Sequence, residues 1–312
     1  MSRNYTVTGG AGFVGATVVR RLLERGDGVT VLDSGEAAGF DNLDGLRERL
    51  RVVTGDVRDQ TRLEDALDGA EAIVHLAARV SVPRSIDDPL DNYAANVDGT
   101  VRLLETARHR RVGRFVFVSS NATIGGHQPP MQEGLTPRAV SPYGAAKVAG
   151  EAYVYAYGRA YGLDAVSLRL SNVYGPWSAH KTSAVAAFIK AYLAGGPLVI
   201  RGSGEQTRDL VHVDDVAAAV ITALDAPPDA IGGEVFQIGS GEETSLNQLA
   251  AILFEVGGRA VPIERQPPSA GDVARNFSDI SKARRVLGWT PQVSLRDGIA
   301  ATLDWFRARR RD

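Results

Sequence analysis

The chain has 312 residues, 44% of them hydrophobic, enough for two domains or for one large domain with an elaboration. Its 35 Lys and Arg against 37 Asp and Glu give a formal net charge of −2, so no basic surplus points to nucleic acid or to an anionic membrane. There is no cysteine, which excludes disulfides, thiolate catalysis and thiolate-held metals, and the five histidines form no close-spaced ligand pair. No apolar run reaches membrane-span length, and the first residues lead directly into a strand pattern without a leader-like segment. The expectation is a metal-free cytoplasmic protein.

Residues 4–8 read as a short buried strand. The turn Gly9-Gly10-Ala11-Gly12-Phe13-Val14-Gly15 follows, then a helix with Val18, Val19, Leu22 and Leu23 on one side. Residues 29–33 form a second strand, completing a β-α-β unit. The alternation continues with a strand at 50–56, a helix at 61–67, a strand at 72–78 and a long helix at 92–109. A strand at 114–120, a helix at 143–161 and a strand at 165–170 complete it. Nearly all-apolar strands alternating with helices predict an α/β fold, a doubly wound parallel (Rossmann) sheet covered on both faces. After about residue 171 the pattern breaks into short pieces between Gly and Pro turns. A helix at 213–224 and a strand at 234–238 still look like sheet-domain parts. The expected division is a dinucleotide-binding domain at 1–170, rejoined by 209–239, and a smaller discontinuous α/β substrate domain mainly at 171–312.

The glycines at 9, 12 and 15 follow a strand and open a helix, the context of a phosphate-binding turn. Their spacing is G-x-x-G-x-x-G rather than the commoner G-x-G-x-x-G. Asp33 ends the second strand 18 residues after Gly15, where a carboxylate accepts from both hydroxyls of an adenosine ribose and repels a 2′-phosphate. NAD is therefore expected over NADP. Asp56 at the end of the third strand is placed to meet the adenine amino group, and Ala77 and Ala78 at the end of the fourth leave room for the cofactor. Tyr143 and Lys147 lie one turn apart on a single helix face. An ammonium beside a phenol favours the phenolate, which can take a proton from an alcohol near neutral pH.

With these motifs the chain resembles the extended short-chain dehydrogenase/reductase family, in particular its nucleotide-sugar epimerases and dehydratases. The resemblance rests on Thr8 to Gly15, Asp33, Gly55-Asp56-Val57, His75-Leu76-Ala77-Ala78 and Asn96 to Thr100 in the first half. Later matches are Tyr143-Gly-Ala-Ala-Lys147, Leu168 to Pro176, Arg208 to Asp215 and Leu287 to Pro291. It implies that Tyr143 is the acid/base, and that Lys147 holds the nicotinamide ribose with support from Asn96 through backbone or water. It places Gly9, Gly12, Phe13, Val14, Val57, Leu76 and Ser119 around NAD, and Asn172, Val185, Arg208 and Asp272 around the substrate diphosphate and base. It also implies a homodimer through a four-helix bundle, for which Leu103, Leu104, Ala107, Tyr153, Tyr157 and Tyr161 offer surface.

Three departures matter. Asn121 stands where the family usually has a serine or threonine bridging substrate and tyrosine; an amide orients a hydroxyl but relays no proton. Ser120 and Thr123 flank it, and either is a candidate for the missing hydroxyl. Gly125 replaces a family tyrosine, which predicts a roomier site on that side. Ser269 replaces an arginine that commonly holds the diphosphate; Lys181 and Arg275 are the candidate replacements. Dehydratases of the family carry Asp-Glu where this chain has Ala122-Thr123, so elimination of water lacks its acid and base. The resemblance then implies a UDP-sugar 4-epimerase working through a 4-keto intermediate. His180-Lys181 and the Asn121 segment lean the substrate to UDP-glucuronate and UDP-galacturonate, with UDP-glucose and UDP-galactose as the alternative. A non-catalytic NAD-binding regulator is the reading from another class; the presence of both Tyr143 and Lys147 argues against it.

Overall fold

A computed structural model describes residues 2–268 and 274–309. Strands β1 (Asn4–Thr8), β2 (Gly28–Asp33), β3 (Arg51–Thr54), β4 (Ala72–His75), β5 (Arg114–Ser120) and β6 (Asp164–Leu170) are joined by the strand Val235–Ile238 in one sheet. From one edge the order is Val235–Ile238, β6, β5, β4, β1, β2, β3, and every pairing is parallel. Apolar side chains fill both faces. Val7, Val31, Val74, Val116 and Val166 pack on one, and Leu32, Ile73, Phe115, Phe117 and Ala165 on the other. The order reverses between β1 and β4, so the crevice that binds ligands in such sheets lies at their C-terminal ends.

The helix bearing Tyr143 runs Pro142–Tyr161. Ser141 caps it by accepting from the Gly144 amide at 3.1 Å, Pro142 fits the first turn, and Gly162 ends it in the left-handed conformation. The long helix expected at 92–109 is instead a helix Pro89–Tyr93, a π-turn Ala94–Asp98 and a helix Gly99–His109. The π-turn frees Asn96 to bridge both polar groups of the Arg79 backbone, accepting from its amide at 2.7 Å and donating to its carbonyl at 3.0 Å.

A separate core gathers Tyr174, Phe188, Ile189, Leu198, Leu253, Ile299 and Phe306. The helix Val213–Asp225 packs into the sheet core. So does a segment near the C-terminus, within the stretch expected in the substrate domain. Ala283, Leu287 and Trp289 enter the sheet core, and the Trp289 indole donates to the Asp215 carbonyl at 3.0 Å. Asp215 also accepts from the Gln292 and Val293 amides at 2.8 and 3.1 Å.

Two expectations are corrected. Leu103, Leu104 and Ala107 are fully buried against the sheet and offer no surface to a partner; Tyr153 and Tyr161 are exposed. The Gly125 side is not roomier either. Gly125 has φ +60°, and a Cβ there would lie 2.0 Å from the Arg138 carbonyl oxygen, so backbone already occupies the space.

Candidate active site

One cleft of about 410 Å³ runs along the C-terminal ends of the strands. Gly9, Gly12, Phe13 and Val14 line it at the start of the helix Phe13–Glu24, whose cap residue Gly12 makes no side-chain bond. The amides there are left for a ligand. Gly9 needs to be glycine twice over: its φ is +71°, and a Cβ would lie 2.6 Å from the Ala77 nitrogen. Asp33 accepts from the Ala11 and Gly35 amides at 2.9 and 2.8 Å, with burial pushing its carboxyl up and those bonds opposing. Asp56, Val57, Leu76, Ala77 and Ala78 continue the wall. Asp56 lies two residues beyond its strand and is held below its ordinary range by hydrogen bonds from Arg58 at 2.7 and 2.8 Å. An uncapped helix start, a glycine cradle and a carboxylate at the β2 end fit a dinucleotide with free ribose hydroxyls, as in NAD.

Ser119, Ser120, Tyr143 and Lys147 meet further along the cleft. Burial pushes the Tyr143 phenol up, and its side-chain hydrogen bond with Ser120 opposes that rise. Lys147 is buried and donates to the Val118 carbonyl at 2.8 Å, with its ammonium 4.7 Å from the Phe117 ring centre. Burial lowers Lys147 to about 8, and Glu151 acts against that. Asn96 bonds the Arg79 backbone and not the Lys147 ammonium, so it shapes the wall carrying Ala77 to Val80.

The candidates for the bridging hydroxyl separate cleanly. Thr123 is fully buried, and its hydroxyl donates to the Ser120 carbonyl at 2.9 Å. It fixes the turn and does not reach the cleft. The Asn121 side chain turns into the protein, donating to Ser171 at 3.0 Å and Ser278 at 2.7 Å. Those serines surround Asp209, a fully buried carboxylate that also accepts from Ser240 and from the Ser278 amide. Asn121 therefore ties the end of β5 to the segment carrying Arg208. The hydroxyl beside Tyr143 is that of Ser120. An i, i+2 alternation along β5 had offered that signal, since Ser120 and Val118 share a side of the strand.

On the substrate side, Asn172, His180, Lys181 and Ser183 line the cleft. Burial lowers the Lys181 ammonium, and no carboxylate among the described residues lies within ion-pair distance of it. Val185 is buried in the second core, away from the cleft lining. Arg208 sits in the short strand Thr207–Arg208 and donates to the Thr207 carbonyl at 2.7 Å. Arg275 is held by Glu243 through two bonds of 2.9 and 2.5 Å. Asp272 and Ser269 lie outside the described residues. Glu36 and Arg79, which ion-pair at the cleft wall, are residues the sequence did not single out. Only the fold brings the loops after β2 and β4 together. Among the described residues no helix is long and apolar enough to cross a membrane, and no cluster of potential metal ligands occurs.

A glycine turn, an acidic ribose site and a Tyr–Ser–Lys group in one crevice define a nicotinamide-dependent enzyme of the Rossmann class. Residues 5–239 match the model of the NAD dependent epimerase/dehydratase family, and the chain belongs to that family. It is 43% identical over 310 residues to a UDP-glucose 4-epimerase of Mycolicibacterium smegmatis, covering 96% of this chain and 97% of that one. Among solved structures it resembles the Thermotoga maritima UDP-glucose 4-epimerase with UDP-glucose (TM-score 0.91, 36% identity, 98% and 99% coverage). It is similar, too, to a UDP-glucuronic acid 4-epimerase from Bacillus cereus in complex with UDP-glucuronic acid and NAD (TM-score 0.91, 30% identity, 98% and 99% coverage).

Proposed function

We propose that the protein is an NAD-dependent 4-epimerase of UDP-hexoses, interconverting UDP-glucose and UDP-galactose. The observation that carries this reading is the meeting of Tyr143, Ser120 and Lys147 in the same cleft as the glycine turn and Asp33. The 43% identical relative named a UDP-glucose 4-epimerase supports the choice of sugar.

NAD, when bound, supplies the reversible acceptor for the hydride at the sugar C4. The remaining work falls to the chain. Tyr143 takes the proton from the C4 hydroxyl and returns it, with Ser120 orienting that hydroxyl and relaying its proton. Lys147 carries the positive charge that favours the phenolate. Epimerisation requires the sugar to present both faces, so the firm grip belongs on the nucleotide. Asn172, Lys181, Arg208 and Asp272 supply it in this reading. Arg275 reaches a diphosphate only by leaving Glu243, and Lys181 takes its place.

A second reading rests on the same Lys181. A largely buried ammonium in the Tyr143 cleft also suits a carboxylate at C6, which supports UDP-glucuronate and UDP-galacturonate as substrates. The test is to incubate the purified protein separately with UDP-glucose and UDP-glucuronate and follow the anomeric protons by NMR. Formation of the 4-epimer without net NADH absorbance, abolished in Tyr143→Phe, is expected. Stoichiometric NADH release, or no epimer from either sugar, overturns the proposal. Exposed Tyr153 and Tyr161 on the Tyr143 helix support a homodimer through that helix, with a dimer mass by light scattering as its check.

A further inference from the structure

Lys147 carries its charge in a poor place for one. It is 4% exposed, and its only hydrogen-bond partner among the described residues is the neutral carbonyl of Val118. Burying an ammonium without a counter-charge favours the neutral amine. The charged and titratable groups around it are few. Tyr143 and Glu151 share its helix, one turn to either side. From β4 comes His75, fully buried between the Thr8 and Thr100 hydroxyls, its pKa pressed to about 3 by burial and then by Lys147 itself. From β5 come only the Phe117 ring and the Val118 carbonyl. From β6 comes Arg169, behind Glu151.

Glu151 is the single anion in this set, and it is itself buried. Its two oxygens are taken by Arg169 Nε at 2.9 Å, Arg169 Nη2 at 2.7 Å and the Ser119 hydroxyl at 2.5 Å. The Arg169 guanidinium forks onto this enclosed carboxylate. The three groups run in order: Arg169 forks onto Glu151, and Glu151 lies one helical turn beyond Lys147. The Ser119 bond fastens the same carboxylate to the strand end, between the Val118 carbonyl that receives Lys147 and the Ser120 hydroxyl that meets Tyr143.

We propose that Glu151, held by Arg169 and Ser119, is a positioning residue that keeps Lys147 protonated in the cleft and fixes the end of β5 beneath the Tyr143–Ser120 pair. This rests on the assignment of Tyr143 and Lys147 as the reacting pair, but its decisive readout needs no turnover. The chain has four lysines, Lys147, Lys181, Lys190 and Lys282, so lysine labelled with ¹³C at Cε gives four resonances to titrate. In the NAD-loaded protein, Glu151→Gln is expected to move the Lys147 midpoint down by about one to two pH units, the size of one charge at helical i, i+4 distance in a protein interior. The alkaline limb of kcat should move down with it. Arg169→Lys keeps the charge and should hold the midpoint near that of the wild type. If Glu151→Gln does not fold, the double variant Glu151→Gln/Arg169→Met removes both buried charges together, and the same downward shift is expected. An unmoved Lys147 midpoint in either folded variant, with kcat lowered evenly across pH, overturns the proposal and leaves the pair a purely structural tie. No epimerisation by the wild type, with the predicted midpoint shift in Glu151→Gln intact, would instead count against the epimerase reading alone.

Discussion

Ser120→Ala removes the hydroxyl that the structure sets against Tyr143. Burial raises the Tyr143 phenol and the Ser120 bond lowers it, so losing the bond lets the phenol rise further. A hydrogen bond to an ionised group is worth about 1.5–3 kcal/mol. The form able to take a proton is the phenolate, so it becomes scarcer at every pH below the new midpoint. We expect kcat at pH 7 to fall by about 10- to 150-fold and the acid limb to move to higher pH. Part of the lost rate should return at high pH. Thr123→Ala is the matched comparison, because its hydroxyl only supports the Ser120 carbonyl at 2.9 Å. It should cost about 1 kcal/mol of stability and leave kcat within about threefold. The assay is the pH–rate profile of epimerisation for the wild type and both variants. An unshifted profile in Ser120→Ala, or an equal loss in Thr123→Ala, would refute the assignment.

Three other outcomes follow from single contacts. Lys181→Met should raise KM about tenfold or more for both UDP-glucose and UDP-glucuronate if the ammonium serves the diphosphate, and for the uronate alone if it serves C6; paired saturation curves decide, and unchanged KM for both removes Lys181 from the site. Asp33→Asn should weaken NAD binding about tenfold and narrow the preference over NADP, because the anionic acceptor for the ribose hydroxyls and the repulsion of a 2′-phosphate go together; calorimetric titration with each dinucleotide measures it. Gly125→Ala combines a left-handed φ with a Cβ 2.0 Å from the Arg138 carbonyl, so the loop must shift. A loss of about 1–3 kcal/mol is expected, seen as a lower Tm, and a protein as stable as the wild type would contradict the geometry.

Much of the cofactor end could be read from the chain because its signals are local. The glycine turn, Asp33 and the small pair Ala77-Ala78 each follow a strand, and a parallel sheet carries all strand ends to one edge. The substrate end was less legible. Arg275 looked available but is spent on Glu243, and Val185 looked like a lining residue but fills a core. Leu103, Leu104 and Ala107 looked like an interface stripe; an amphipathic helix shows which face is apolar, not whether sheet or partner covers it.

The alternation of strand and helix, the phosphate-turn context and the Tyr143–Lys147 spacing are legible in the chain alone, because these depend on neighbours within a turn or two. The tertiary fold alone fixes which hydroxyl lies in the cleft with Tyr143 and where the Asn121 side chain points. Ser120, Asn121 and Thr123 are adjacent in the chain and chemically interchangeable on paper. The strand ends between Ser120 and the 3-10 turn Asn121–Thr123, and that change of backbone direction sends one side chain to the phenol and another to the buried Asp209 network. The third turns back to its own loop. Side-chain direction at a strand end depends on where the next element is anchored, and here the anchors, Ser171, Ser278 and Asp209, lie 50 or more residues away in the chain.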